Sequence, residues 1–203
     1  MRKRWTIPAA MIAASLMTGL FPAPAHADHE DTPTSRQLLE ACDNGTDACV
    51  FHPDGRPEYF AGPADQVGRA VYNCTGREQR FEVSWSDTTT ETNSVGVSMG
   101  VEYGYAEVFR ATFKATYGHE WSSSHTESQT TYVFTGPYEV GWVERAPRME
   151  QVSGTYELRF PDRYYGHYIW YVPFEATGPA PGGEGAIAQQ TRPMTQTERN
   201  ECP

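Results

Sequence analysis

From Val95 to Tyr117 the chain alternates with period two. Val95, Val97, Met99, Val101, Tyr103 and Tyr105 hold the odd positions, and Ser94, Gly96, Ser98, Gly100, Glu102 and Gly104 hold the even ones. That pattern predicts an extended strand with one apolar and one polar face. A second row follows, in which Phe109, Ala111, Phe113, Ala115 and Tyr117 alternate with Arg110, Thr112, Lys114 and Thr116. A turn near Ala106 and Glu107 then joins the two into one long amphipathic hairpin whose apolar sides coincide, with Glu102 facing Arg110 or Lys114. Ordinary strands run about five or six residues. These run about eleven and nine, the length a tilted strand needs to cross a bilayer.

Elsewhere the texture is also β, with strands predicted over Arg69 to Cys74, Arg80 to Ser86, Thr88 to Tyr105, Phe109 to Tyr117, Glu127 to Phe134, Glu139 to Glu144, Gln151 to Phe160 and Tyr168 to Val172. Only one helix is expected: Thr34 and Gln37 have capping-box spacing ahead of Leu38, Leu39 and Cys42, and Asn44-Gly45 supplies the stop. From Thr177 onward the Gly/Pro-rich chain reads as a cover without regular structure. The fold class is mainly β: an elongated antiparallel sheet or sandwich with a long amphipathic hairpin and one short N-terminal helix. Along the chain this divides into a leader (1–27), a helix and disulfide segment (28–79), a β module (80–175) and a tail (176–203).

Arg2, Lys3 and Arg4, the apolar run Ile7 to Phe21 and the small residues around His26 have the layout of a secretory signal peptide, so an extracellular protein is expected. The chain from Asp28 onward then carries 13 basic and 26 acidic residues. That balance repels nucleic acid at long range. In an exported chain, Cys42, Cys49, Cys74 and Cys202 are expected in disulfides, Cys42 with Cys49 and Cys74 with Cys202, although three connectivities fit the sequence.

Three patterns suggest chemistry and are answered by their context. Gly96-Val97-Ser98-Met99-Gly100 matches G-x-S-x-G, but a nucleophile elbow needs a buried strand before the serine and a helix after it. Here the flanks are polar and alternating, so no catalytic residue, and no enzyme, is predicted. His119 and His125 lie six residues apart, about 20 Å along a strand, too far to share a zinc, and no metal or cofactor is expected. The aromatic run Asp162 to Val172 offers Tyr164, Tyr165, Tyr168 and Trp170 as a ligand-binding surface, since flat rings stack on sugars; the same residues also suit cross-strand packing.

Between Ser84 and Thr135 there are 18 Ser or Thr residues, concentrated in "SWSDTTTETNS" before the predicted hairpin and "SSSHTESQTT" after it. Hydroxyl-rich strands flanking an apolar-alternating hairpin resemble the pore-forming module of aerolysin-like toxins, in the epsilon-toxin and mosquitocidal-toxin branch, over about residues 80–160. The resemblance implies a pore-forming or membrane-interacting protein whose partners are a target membrane or cell-surface receptor and further copies of itself. By that analogy Val95, Val97, Met99, Val101, Tyr103, Tyr105, Val108, Phe109, Ala111, Phe113 and Tyr117 enter the membrane, Val108 and Phe109 first. Ser98, Glu102, Arg110, Thr112, Lys114 and Thr116 line the lumen. The alternation equally fits a hairpin packed on the core of a non-lytic secreted β-sandwich that binds glycan or protein.

Overall fold

The computed structural model describes residues 32–43, 45–96, 104–182 and 184–203. These form a mainly β, antiparallel structure with three short helices. Helix α1, Ser35–Glu40, opens on the expected capping box: Thr34 accepts from the Gln37 backbone, and Gln37 reaches back to the Thr34 N–H. It buries Leu38 and Leu39.

The largest sheet is built on a long hairpin, β8 (Arg148–Tyr164) and β9 (His167–Pro179). Strand β1, Ala48–Pro53, and the short β2, Glu58–Ala61, pair with β8, while β5, Thr92–Asn93, pairs with β9. Even-numbered residues of the hairpin face inward: Val152, Tyr156, Leu158 and Phe160 from β8, and Val172, Phe174 and Ala176 from β9. Gly154 interrupts that row because Phe51 lies there; a Cβ would come within 2.5 Å of the Phe51 ring and the His52 carbonyl. Onto this face packs α2, Gly104–Tyr117, burying Tyr105, Ala106, Phe109 and Phe113.

A second core lies between two smaller sheets. Strand β3 (Asp65–Tyr72) pairs with β7 (Glu139–Ala146), and β10 (Ala186–Pro193) pairs with the other edge of β7. Strands β4 (Gln79–Thr90) and β6 (Ser124–Thr135) pair with each other. Val67, Val71 and Val143 meet Val83, Trp85 and Val133 across the gap. Both expected disulfides, Cys42–Cys49 and Cys74–Cys202, are formed. The second ties down α3, Gln196–Asn200, which has a capping box of its own in Thr195 and Glu198.

The structure corrects four expectations. Phe109–Tyr117 is helix, so the second strand of the hairpin expected over Val95 to Tyr117 is not formed in this state. The apolar residues here recur every four positions, and Tyr105, Phe109, Phe113 and Tyr117 share a face in a helix as well as in a strand. Packing against Phe51, Tyr156 and Phe174 decides for the helix. The predicted strand Thr88 to Tyr105 ends as a ladder at Thr90, followed by the two residues of β5, and Gly104 already opens the helix. The tail is not irregular, since it supplies β10 and α3. Beyond the single helix expected, α2 and α3 make three among the described residues.

Candidate functional site: the helical segment that links two hydroxyl-rich strands

Strands β4 and β6 run opposite one another from Gln79↔Thr135 to Thr90↔Ser124 with no shift of register. On the outward face, hydroxyls bond directly across the ribbon: Ser84 to Thr130 (2.9 Å), Ser128 to Ser86 (2.8 Å) and Thr88 to Thr126 (2.9 Å). The inward face is apolar through Val83, Trp85 and Val133 and then meets charge. Asp87 and Glu127 stand opposite each other, a repulsive cross-strand pair on its own. Arg145, 2% exposed, reaches between them from β7. Its Nε donates to Glu127 (2.8 Å), and its Nη1 donates to Asp87 (2.6 Å) and Thr89 (3.1 Å).

The ribbon's ends lead into residues 91–123, which carry most of the predicted site. At the base of this segment Trp121 donates from its indole to Glu91 (2.6 Å), and the Ser94 N–H donates to the Glu175 carbonyl (2.9 Å). Gly178 leaves room for the Trp121 ring, which a Cβ would approach to 2.7 Å. At the start of α2, Asp43 accepts from the Gly104 N–H, and Tyr156 donates to the Tyr105 carbonyl (2.8 Å). Phe109 sits among Phe51, Phe113, Trp121 and Phe174 at centroid distances of 5.1 to 5.7 Å. Tyr117 donates to the Gly55 carbonyl (2.9 Å), and beyond the helix His119 Nε2 lies 2.9 Å from the Glu150 carboxylate.

Of the residues expected to enter a membrane, Tyr105, Phe109 and Phe113 are buried in the core, Val95, Val108 and Tyr117 pack against it, and Ala111 is exposed. Of those expected to line a lumen, Arg110 and Thr112 are half-buried, Lys114 pairs with Glu120 (2.7 Å), and Thr116 is exposed. Val97, Ser98, Met99, Val101, Glu102 and Tyr103 lie outside the described residues. The two histidines are engaged separately, His119 with Glu150 and His125 opposite Thr89.

The aromatic run ends up at the β8–β9 turn. Tyr164 stacks on Phe160 (4.5 Å, 8°), and its carbonyl accepts from the Trp170 indole (3.0 Å), so both serve packing. Tyr165, Tyr168 and Tyr171 are 45%, 53% and 63% exposed, and the Arg163 guanidinium lies 5.5 Å from the Tyr168 ring centre. Sequence reasoning missed the Arg145 cluster and Glu150, because nothing local marks a charged residue that the tertiary fold will bury.

No family model matches the chain, and no curated protein matches it. Among solved structures it is similar to the parasporin-2 toxin of Bacillus thuringiensis, which recognises cancer cells, with 16% identity and a TM-score of 0.30 over 72% of this chain and 76% of that one. It is also similar to a candidate pore-forming toxin from Bacteroides vulgatus, at 6% identity and a TM-score of 0.34 over 74% of this chain and 59% of that one. A third similarity is to a non-toxic crystal protein of Bacillus thuringiensis, at 10% identity and a TM-score of 0.23 over 74% of this chain and 90% of that one. All three overlaps are partial.

Proposed function

We propose that this is a secreted, membrane-interacting protein of the pore-forming kind, in which α2 leaves the core and residues 91–123 extend the β4–β6 ribbon into a membrane-spanning hairpin. The observation that carries this reading is the unbroken register of the ribbon. Continued beyond Thr90 and Ser124, it pairs Val97 with Tyr117, Met99 with Ala115, Val101 with Phe113, Tyr103 with Ala111 and Tyr105 with Phe109. It closes on a turn at Ala106, Glu107 and Val108. No bulge is needed, and every odd residue stays on the face that carries Val83, Trp85 and Val133 in the ribbon. In the extended state the odd row meets lipid and the even row, with Ser98, Glu102, Arg110, Thr112, Lys114 and Thr116, meets water. A lone hairpin cannot satisfy its edge hydrogen bonds in lipid, so copies of the chain close a barrel together. Release costs the burial of Tyr105, Phe109 and Phe113, and transfer of the apolar row into lipid offsets it.

The test labels single cysteines at positions 110 to 116 with an environment-sensitive fluorophore and adds liposomes of mixed composition loaded with dye. Dye release together with a blue shift at alternate positions supports the reading. Release with the helical periodicity retained, or no release from liposomes or from receptor-bearing cells, refutes it.

The exposure of Tyr165, Tyr168 and Tyr171 favours a second reading, a non-lytic protein that binds glycan through the β8–β9 tip. Saturable glycan binding that Tyr168→Ala abolishes, without dye release, would select it.

A further inference from the structure

One buried charge lies directly under the end of α2. The even-numbered residues of β8 form an apolar floor of Val152, Tyr156, Leu158 and Phe160, and Glu150, fully buried, stands at the end of that row. One carboxylate oxygen is 2.9 Å from His119 Nε2. The other ring nitrogen, Nδ1, is 3.4 Å from the Tyr117 carbonyl, and the imidazole lies edge-on to Phe113 at 4.8 Å. His119 follows α2 by two residues, so this contact fastens the C-terminal end of the helix to the sheet.

The contact requires one proton between the two groups. Either Nε2–H donates to the carboxylate, or the carboxylic acid donates to Nε2. When the acid has lost its proton, the neutral imidazole can still donate from Nε2, but the carboxylate is then a fully buried negative charge facing a neutral partner. We infer that Glu150 and His119 form a proton-dependent latch, which holds the end of α2 on the sheet at low pH and loosens as the pH rises out of the ordinary carboxylate range.

Every element around Glu150 bears on this. On β2, Tyr59 is its direct ladder partner. Along β8, Arg148 lies two residues away, with its guanidinium 5.4 Å from the Tyr59 ring centre. On β9 the partner is Gly178, which does not titrate. Burial pushes the Glu150 carboxyl above the ordinary carboxylate range, and His119, Tyr59 and Arg148 oppose that shift without cancelling it. Burial, with Glu150 nearby, also raises Tyr59 above its ordinary value, which keeps the phenol neutral across this pH range. The docked state therefore binds the proton more tightly than a released state in which Glu150 meets water. The stability this group contributes is full at low pH and is lost as the pH climbs through the docked-state pKa. Linkage to one proton limits the change to about tenfold per pH unit.

The latch's biological use rests on the function proposed above, but its test does not, because it is made in solution without vesicles. Amide hydrogen exchange of the full chain is followed from pH 4 to pH 9, each rate corrected for its intrinsic pH dependence. The α2 amides are compared with those of β8 and β9 and with the same amides in Glu150→Gln. The glutamine keeps the shape of the neutral acid and can donate to His119 Nε2. In the wild type the open population of α2 is expected to rise by up to about tenfold per pH unit over part of the range while the sheet amides hold steady. Glu150→Gln is expected to give a flat profile. A flat wild-type profile, or a variant that copies the wild-type slope, overturns the latch. A second variant, His119→Phe, keeps a ring on Phe113 without the hydrogen bond to Glu150 and is expected to open α2 more than the wild type at the low end of the range; wild-type protection there in that variant also overturns it.

Discussion

Ala111 separates the two lives proposed for residues 91–123. In the helix it is exposed and lies four residues after Glu107, so Ala111→Lys loses only a few tenths of a kcal/mol in propensity and gains about 0.3–0.5 kcal/mol from an ion pair between Glu107 and the new side chain. The soluble protein should therefore keep its stability to within about 0.5 kcal/mol. In the extended hairpin the same residue is in the odd row opposite Tyr103, three residues beyond the turn. That places it roughly 10–13 Å into a hydrocarbon core of about 30 Å. A lysine on the lipid face near the midplane costs about 2–4 kcal/mol per copy, equivalent to roughly 30- to 700-fold in an equilibrium. The matched control is Thr116→Lys, which is exposed in the helix but in the even row of the hairpin. Urea unfolding and liposome dye release are measured on both. The expected result is two stable proteins, of which Ala111→Lys fails to release dye and Thr116→Lys still does. Equal release by both variants would refute the odd-row assignment. Loss of release in both would refute the assignment of the even row to water. Phe113→Asp, which the alternation alone would suggest, is a poor probe because that ring is fully buried in the soluble fold.

Three further outcomes follow from the packing. Asn73, 1% exposed, donates its amide to the carbonyls of Arg77, Thr135 and Gly136 and accepts from Thr75, so Asn73→Ala should cost about 2–3 kcal/mol and lower Tm by roughly 4–12 °C in calorimetry. Arg145→Met leaves Asp87 and Glu127 facing each other and should cost about 3–5 kcal/mol in urea unfolding; a loss below about 1 kcal/mol would show that the cluster is not coupled to the fold. Pairing with Arg192, and the bond from the Thr195 backbone, hold the Glu198 carboxyl down at about 2, so α3's acidic anchor is in place above the ordinary carboxylate range and is lost as pH falls from there towards 2. An NMR titration that found Glu198 at an ordinary value would contradict the pairing.

The hydrogen-bonding chemistry of short segments was legible in the sequence, and its competition with tertiary packing was not. Thr34 and Gln37 announce α1 because a capping box is read locally, and the same rule would have found α3 from Thr195 and Glu198. The paired strands β4 and β6 show in their alternation. The state of residues 104–117 does not, since repeats of four fit both periods and only the Phe51, Tyr156 and Phe174 surface selects the helix. Strand β10 carries no alternation at all, and every one of its residues is exposed. It exists through its pairing with β7, helped by Gln189, whose side-chain amide accepts from the Phe134 N–H (3.1 Å) and donates to the Phe134 carbonyl (2.7 Å) on neighbouring β6.

The four-residue recurrence of Tyr105, Phe109, Phe113 and Tyr117 also constrains how this stretch can change in length. One inserted residue would move everything after it to the opposite face of a strand, and two would keep the strand phase but turn the rest of the helix by about 200°. Four turn it by only about 40° and leave the strand phase untouched. Homologous chains that keep both packings should therefore differ here by four residues rather than by one or two, a spacing rule that neither a helix nor a strand would impose alone.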